Sequence, residues 1–280
     1  MKVVLFCGGQ GLRMRAGDGD ERPKPMVPLG TRPILWHLMK YYAHWGHCDF
    51  ILCLGHKSKM IKEFFVHYEE WVSNDLVLTT AERKIELLKQ DIDNWRITMV
   101  DTGLETSIGE RLLAVQPYLE GEEMFFANYA DGLTDCPLPA VVERLEKTRA
   151  VGTFVAARPS ISLHFVQHSQ DGRVTGFLNP QQANTWVNAG FFAFRREVFD
   201  YLRPGEELVE EPFQRLIDDA KLSALPYSGF WRCCDTFKDL QTLENLLRRG
   251  DAPWELWRRF APGCGPALAT PDLEMPVAAS

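Results

Sequence analysis

The sequence predicts an α/β fold: a Rossmann-like, mixed and mainly parallel sheet flanked by helices, with a strand-rich lobe in the second half. Three observations carry this. Lys2 to Phe6 is a short apolar, β-prone run that breaks into glycines. Downstream, strand-like runs alternate with segments whose apolar residues recur at helical spacing. Beyond Arg149 the pattern turns strand-rich. Strands that alternate with helices pair in parallel through right-handed crossovers and bind ligands at their carboxyl ends.

In chain order, the first strand and its glycine loop lead to a helix from Pro33 to Trp45. Asp49 to Gly55 reads as the second strand, Ser58 to Tyr68 as a helix, and Leu76 to Thr80, Arg96 to Asp101 and Glu123 to Ala127 as three further strands. Leu138 to Arg149 reads as a helix. The strand-rich segments are Val151 to Ala157, His164 to His168, Arg173 to Phe177 and Trp186 to Phe194. Helices resume at Arg196 to Leu202, Glu210 to Ala220, Phe237 to Arg249 and Pro253 to Phe260. We expect one domain over 1–260, with halves at 1–135 and 136–260. The stretch 261–280 is rich in Pro, Ala and Gly and reads as a mobile tail.

Of 280 residues, 45% are apolar and 25% charged, which is ordinary for a chain with a packed core. A net charge of −7 repels nucleic acid and anionic membranes, so any phosphate has to be captured by local geometry. No apolar stretch approaches the roughly 20 residues of a membrane span, and a cytoplasmic protein is expected. The seven cysteines include no Cys-x-x-Cys pair and read as reduced thiols, the adjacent Cys233 and Cys234 as small apolar filler.

Gly8-Gly9-Gln10-Gly11-Leu12-Arg13 follows the first strand. Glycines there let backbone N–H groups turn around an anion, and Arg13 adds a forked cation. Gly-Gly-x-Gly alone is equally a tight turn. Lys24, held between Pro23 and Pro25 in an extended segment, shifts the balance toward a phosphate site. The loop lacks the Gly-Lys-[Ser/Thr] ending of the Walker pattern and the spacing of dinucleotide binders, which disfavours kinase-like and hydride-transfer chemistry.

Asp131, beside Gly132 after the strand ending at Ala127, suits a hard cation, although Asp-Gly is also a common turn. Asp235 ends the aromatic segment Gly229-Phe230-Trp231-Arg232-Cys233-Cys234 at the start of a helix, where it reads as a helix cap, a metal ligand, or both. Two Asp ligands with phosphate oxygens and waters are what Mg²⁺ accepts.

With these residues the chain resembles the sugar-phosphate nucleotidyltransferases, and within them their cytidylyl branch, from Lys2 to about Trp257. The resemblance rests on Gly-Gly-x-Gly-x-Arg at 8–13, Pro-Lys-Pro-Met at 23–26, Pro-Ile-Leu-Trp-His at 33–37, Ile-Lys-Glu-Phe-Phe at 61–65, Val-Asp-Thr-Gly at 100–103, Gly-Phe-Phe at 190–192, and Gly-Phe-Trp with Asp-Thr at 229–236. The excursion from Ala81-Glu82 through Trp95 to Gly103 is similar to that of the cytidylyl branch.

The resemblance implies that CTP and a sugar 1-phosphate, glucose 1-phosphate or a related acceptor, give a CDP-sugar and pyrophosphate. Gly8, Gly9, Gly11, Arg13 and Lys24 would hold the triphosphate, Arg13 and Lys24 being catalytic. Asp131 and Asp235 would hold Mg²⁺, and Gly109 and Arg111 would lie near the base. The second half would be an acceptor-binding lobe, and the chain a homo-oligomer. Departures concentrate on that lobe: Ser160 to Phe165 replaces a Gly-Arg-Phe-Gly-like turn, Leu178-Asn179-Pro180 replaces Glu-Lys-Pro, and Asn188-Ala189-Gly190 replaces Asn-Gly-Gly. Asn179 lacks the charge of the lysine it replaces, and Arg232, where the family's glucose enzyme has a glutamine, is expected to restore it. With His164 and Asn188 these form the expected acceptor side, which leaves room for a non-sugar phosphate or phosphonate. A silent nucleotide-binding regulator is the reading from another class. The remaining histidines, His37, His44, His47, His56 and His67, read as structural or surface residues.

Overall fold

The computed structural model describes residues 1–9, 22–92, 94–159, 165–178 and 185–268. Gly11, Arg13, His164 and Asn179 lie outside the described residues, as do 269–280 of the expected tail.

The chain begins with β1 (Val3–Phe6). After a 3₁₀ turn at Lys24–Met26 come the short hairpin β2 (Pro28–Leu29) and β3 (Arg32–Pro33), then α1 (Ile34–His44), β4 (Asp49–Leu54) and α2 (Ser58–Val66). A second hairpin, β5 (Leu76–Thr79) and β6 (Lys84–Leu87), precedes β7 (Arg96–Asp101), α3 (Ile108–Val115), β8 (Met124–Tyr129) and β9 (Gly132–Thr134). The second half holds α4 (Leu138–Thr148), β10 (Gly152–Ala157), β11 (Phe165–His168), β12 (Val174–Leu178), β13 (Val187–Asn188) and β14 (Phe192–Arg195). It closes with α5 (Glu211–Asp218), β15 (Leu222–Tyr227), β16 (Trp231–Cys233), α6 (Phe237–Arg248) and α7 (Leu256–Arg259).

The central sheet has β1 in its middle, parallel to β4 on one side and to β8 on the other, with β7 parallel to β4 at one edge. Beyond β8 it turns mixed: β14 is antiparallel to β8 and to β10, and β15 runs parallel to β10. Trp186 to Phe194, expected as one strand, is broken. β14 and β13 pair with the same strand β10 in registers offset by two, and Gly190 and Phe191 between them both have positive φ. This is a bulge, and the glycine takes the conformation that a side chain resists. Arg196–Tyr201 is a 3₁₀ helix.

Side chains alternate across the sheet into two cores. Val3, Leu5, Phe50, Leu52 and Phe126 pack with α1 and with Val141 and Leu145 of α4. Val4, Phe6, Ile51, Cys53 and Phe125 pack with Leu112 and Val115 of α3 and with Phe213 and Leu216 of α5. Both faces are covered, as a largely parallel sheet requires. Leu76 to Thr80 does not join this sheet; it pairs with Lys84–Leu87 instead. Gly263 donates to the His44 carbonyl at 2.8 Å, which ties the chain after α7 to the end of α1. No disulfide joins the seven cysteines, all of which are described. Among the described residues no helix is long and apolar enough to cross a membrane.

Candidate active site

Three loops converge where β1, β4 and β7 end. Cys7 donates its N–H to the Cys53 carbonyl at 2.9 Å, and Thr102 donates to Leu54 at 2.9 Å. A Cβ on Gly55 would lie 2.7 Å from the Gly103 carbonyl oxygen and 2.9 Å from that of Gly8. Only glycine allows these backbones to approach so closely. A Cβ on Gly9 would meet nothing within 4 Å.

Arg111, on α3, is 3% exposed and sits behind these loops. It donates to Thr102 Oγ1 at 2.6 Å and to the carbonyls of Leu54 and Gly8 at 3.3 Å and Leu104 at 3.4 Å. Burial lowers its pKa, which nearby Cys53, Cys7 and Asp101 oppose. A Cβ on Gly8 would meet the guanidinium at 2.1 Å, so Gly8 and Arg111 interlock. Gly109 serves packing: a Cβ there would lie 2.5 Å from the Glu206 carbonyl oxygen. α3 itself is opened by a capping box, Ser107 accepting from Glu110 N–H and the Glu110 carboxylate from Ser107 N–H.

The two carboxylates meet through a two-stranded ladder. β9 starts immediately after Asp131 and β16 ends just before Asp235. Their antiparallel register sets Gly132 opposite Cys233 and Leu133 opposite Arg232. Continuing it, Cys234 N–H donates to the Asp131 carbonyl at 2.9 Å. Asp235 is not the cap of α6: that residue is Thr236, in a capping box with Asp239. The cap expectation is therefore corrected: the Asp235 carboxylate takes no part in capping α6.

Lys24 reaches between the pair. The 3₁₀ turn, closed by Val27 N–H on the Lys24 carbonyl at 3.1 Å and anchored by buried Pro25, aims the side chain there. Its Nζ lies 3.1 Å from Asp131 Oδ2 and also donates to Asp235 Oδ1. Burial lowers the Lys24 pKa, but the two carboxylates outweigh it and hold the ammonium above its usual range. Asp131, Cys233 and Asp235 each place one ligand atom within 4.8 Å of the others. Burial, with both carboxylates near, pushes the Cys233 thiol far up. The carboxylates of Asp131 and Asp235 supply two hard oxygens to this cluster, which fits a divalent cation of the Mg²⁺ class.

On the expected acceptor side, Asn188 Oδ1 accepts from Gly190 N–H at 2.9 Å, and its side chain hydrogen-bonds Tyr129, two residues before Asp131. Burial raises Tyr129 to about 12. Trp231 Nε1 donates to the Ala189 carbonyl at 3.1 Å, joining β16 to this bulge. Arg232 pairs at 3.3 Å with Asp239, the acidic member of the α6 capping box. Arg158, whose guanidinium lies 4.1 Å over the Trp186 ring, was not singled out from the sequence. Those two continue the register Ala157–Val187 and share a face with Asn188.

Residues 2–249 match the family described as Nucleotidyl transferase. The chain belongs to that family. Among its relatives, the "Probable glucose-1-phosphate cytidylyltransferase" of Bacillus subtilis is 35% identical over 259 residues, 92% of this chain and 100% of that protein. The glucose-1-phosphate cytidylyltransferase of Salmonella typhi is 34% identical over the same shares. The crystal structure of HddC from Yersinia pseudotuberculosis superimposes with a TM-score of 0.64 at 15% identity, over 88% of this chain and 99% of that one, a likeness of fold.

Proposed function

We propose that the protein joins CTP to a sugar 1-phosphate, releasing pyrophosphate and forming a CDP-sugar. The observation that carries this is the placement of Lys24 between Asp131 and Asp235. The cytidylyltransferases at 34–35% identity support the choice of nucleotide and acceptor.

An oxygen of the acceptor phosphate attacks the α-phosphorus of CTP, and the bond to the bridging oxygen breaks as pyrophosphate leaves with the electron pair. No protein nucleophile is needed; catalysis is positioning plus charge neutralisation. Asp131 and Asp235 would hold Mg²⁺, which when bound neutralises phosphate charge and orients the triphosphate. Lys24, held at the same carboxylates, would supply its ammonium to phosphate oxygens. Gly8 and Gly9 would line the triphosphate, a role we also assign to Gly11 and Arg13 outside the described residues, while Arg111 braces Gly8 from behind. We assign Asn188, Arg232 and Arg158 to the acceptor, and with them Asn179 and His164, which lie outside the described residues. We place the protein in the cytoplasm and expect it to self-associate.

The test is a matrix of CTP, UTP, dTTP and GTP against glucose 1-phosphate, other sugar 1-phosphates and a phosphonate, read by pyrophosphate release with Mg²⁺. CTP with a sugar 1-phosphate is expected to dominate. Dominance of another nucleotide overturns the donor, and dominance of the phosphonate overturns the acceptor.

A further inference from the structure

The β5–β6 hairpin pairs with no other strand among the described residues. Its cross-strand pairs Leu76–Leu87 and Leu78–Ile85 put four apolar side chains on one face, and Leu78 and Ile85 are 54% and 53% exposed. The other face carries Val77, Thr79, Lys84 and Glu86. A two-stranded sheet by itself is marginal in water; a third strand is what stabilises such a structure.

The open edge can be read from the ladder. Leu88 N–H donates to the Asp75 carbonyl at 2.8 Å, so 75 and 88 form a hydrogen-bonded pair. Bonded and non-bonded pairs alternate along an antiparallel ladder. Glu86 and Lys84 therefore turn their backbone groups toward β5, whereas the N–H and C=O groups of Ile85 and Leu87 point away from it, along the outer edge of β6.

We propose that this edge joins two copies of the chain, β6 pairing antiparallel with β6 of a second copy about a two-fold axis through Ile85. Ile85 and Ile85 of the partner subunit exchange both backbone hydrogen bonds. Lys84 then lies opposite Glu86 of the partner subunit, and Glu86 opposite Lys84 of the partner subunit, in non-hydrogen-bonded pairs where side chains approach most closely. The charges flanking Ile85 are opposite in sign, so a two-fold axis there is self-complementary. An axis through Lys84 or Glu86 would set that residue against itself. The edge of β5 has no charge between Leu76 and Thr79 to select a register. The product is a four-stranded sheet whose apolar face, Leu76, Leu78, Ile85 and Leu87, continues across the axis. Within one chain Lys84 and Glu86 lie 2.5 Å apart, an exposed contact that costs little to exchange.

The test is sedimentation velocity on the full chain as wild type, K84E, E86K and an equimolar mixture of the two variants, with far-UV circular dichroism to confirm folding. Each variant alone opposes like charges at both contacts and should weaken self-association on the order of 100-fold. The mixture should restore it, because one variant carries two acids along β6 and the other two bases. A wild type that stays monomeric, a mass unaffected by either variant, or a mixture no more associated than its components overturns the proposal.

Discussion

The carbonyl of Asp131 accepts the N–H of Cys234 at 2.9 Å, and this one contact extends the β9–β16 ladder far enough to bring the Asp235 carboxylate beside that of Asp131. Two acids that are remote in sequence share one ammonium as a result. The geometry leads to specific expectations.

Replacing Lys24 by Met removes the cation between Asp131 and Asp235. Turnover should fall on the order of 10³-fold, the usual scale for losing a group aimed at developing phosphate charge. The variant should also melt lower than wild type without divalent metal and gain more from added Mg²⁺, because the bound ion then relieves carboxylate repulsion. Steady-state kinetics and melts with and without Mg²⁺ check both; near-wild-type turnover would contradict the role given to Lys24.

Arg111→Ala strips hydrogen bonds from four oxygens and should cost about 2–4 kcal/mol of stability. It should raise the KM for CTP more than it lowers kcat, since Gly8 loses its brace. Gly8→Ala should behave similarly, given a Cβ 2.1 Å from the guanidinium. Urea unfolding and CTP titrations measure these, and an unchanged KM in both variants would remove Arg111 from the support of the loop.

His37 is 3% exposed, accepts from Trp254 Nε1 at 3.3 Å and donates from Nε2 to the Leu29 carbonyl at 3.0 Å. Burial lowers its pKa to about 4. A base whose folded pKa lies below the unfolded value near 6.5 contributes stability that is complete above that value. It is lost as pH falls toward 4, and amounts to roughly 3 kcal/mol. Replacing His37 by Gln should flatten the pH dependence of the urea midpoint between about pH 6.5 and 4; an unaltered slope would show that His37 does not carry it.

The legible parts of the fold were those with strong period. Val3–Phe6, Ile34–His44 and Asp49–Leu54 lie where their apolar patterns put them. α3 escaped although Ser107 and Glu110 spell a capping box, a signal that was there to use. The β5–β6 hairpin escaped because its turn has no Gly or Asn; Arg83 takes the positive φ instead. Leu222–Tyr227 was not among the expected strands; β15 tolerates Pro226 because, among the described residues, it pairs only with β10, at an edge. Lys24, Asp131 and Asp235 were readable as residue types in loops at strand ends. That they share one site was implied by the resemblance; the β9–β16 register that brings them together was not legible. Arg158 over Trp186 depends likewise on a register that the Gly190 bulge shifts.

The most direct measurement is pyrophosphate release by the full chain mixed with CTP, Mg²⁺ and glucose 1-phosphate, with Asp131→Asn in parallel. The account predicts release that requires both CTP and the acceptor, with a CDP-sugar formed in equal amount, and that is lost with the substitution. CTP binding without release for any sugar 1-phosphate, or release that Asp131→Asn leaves intact, would contradict it.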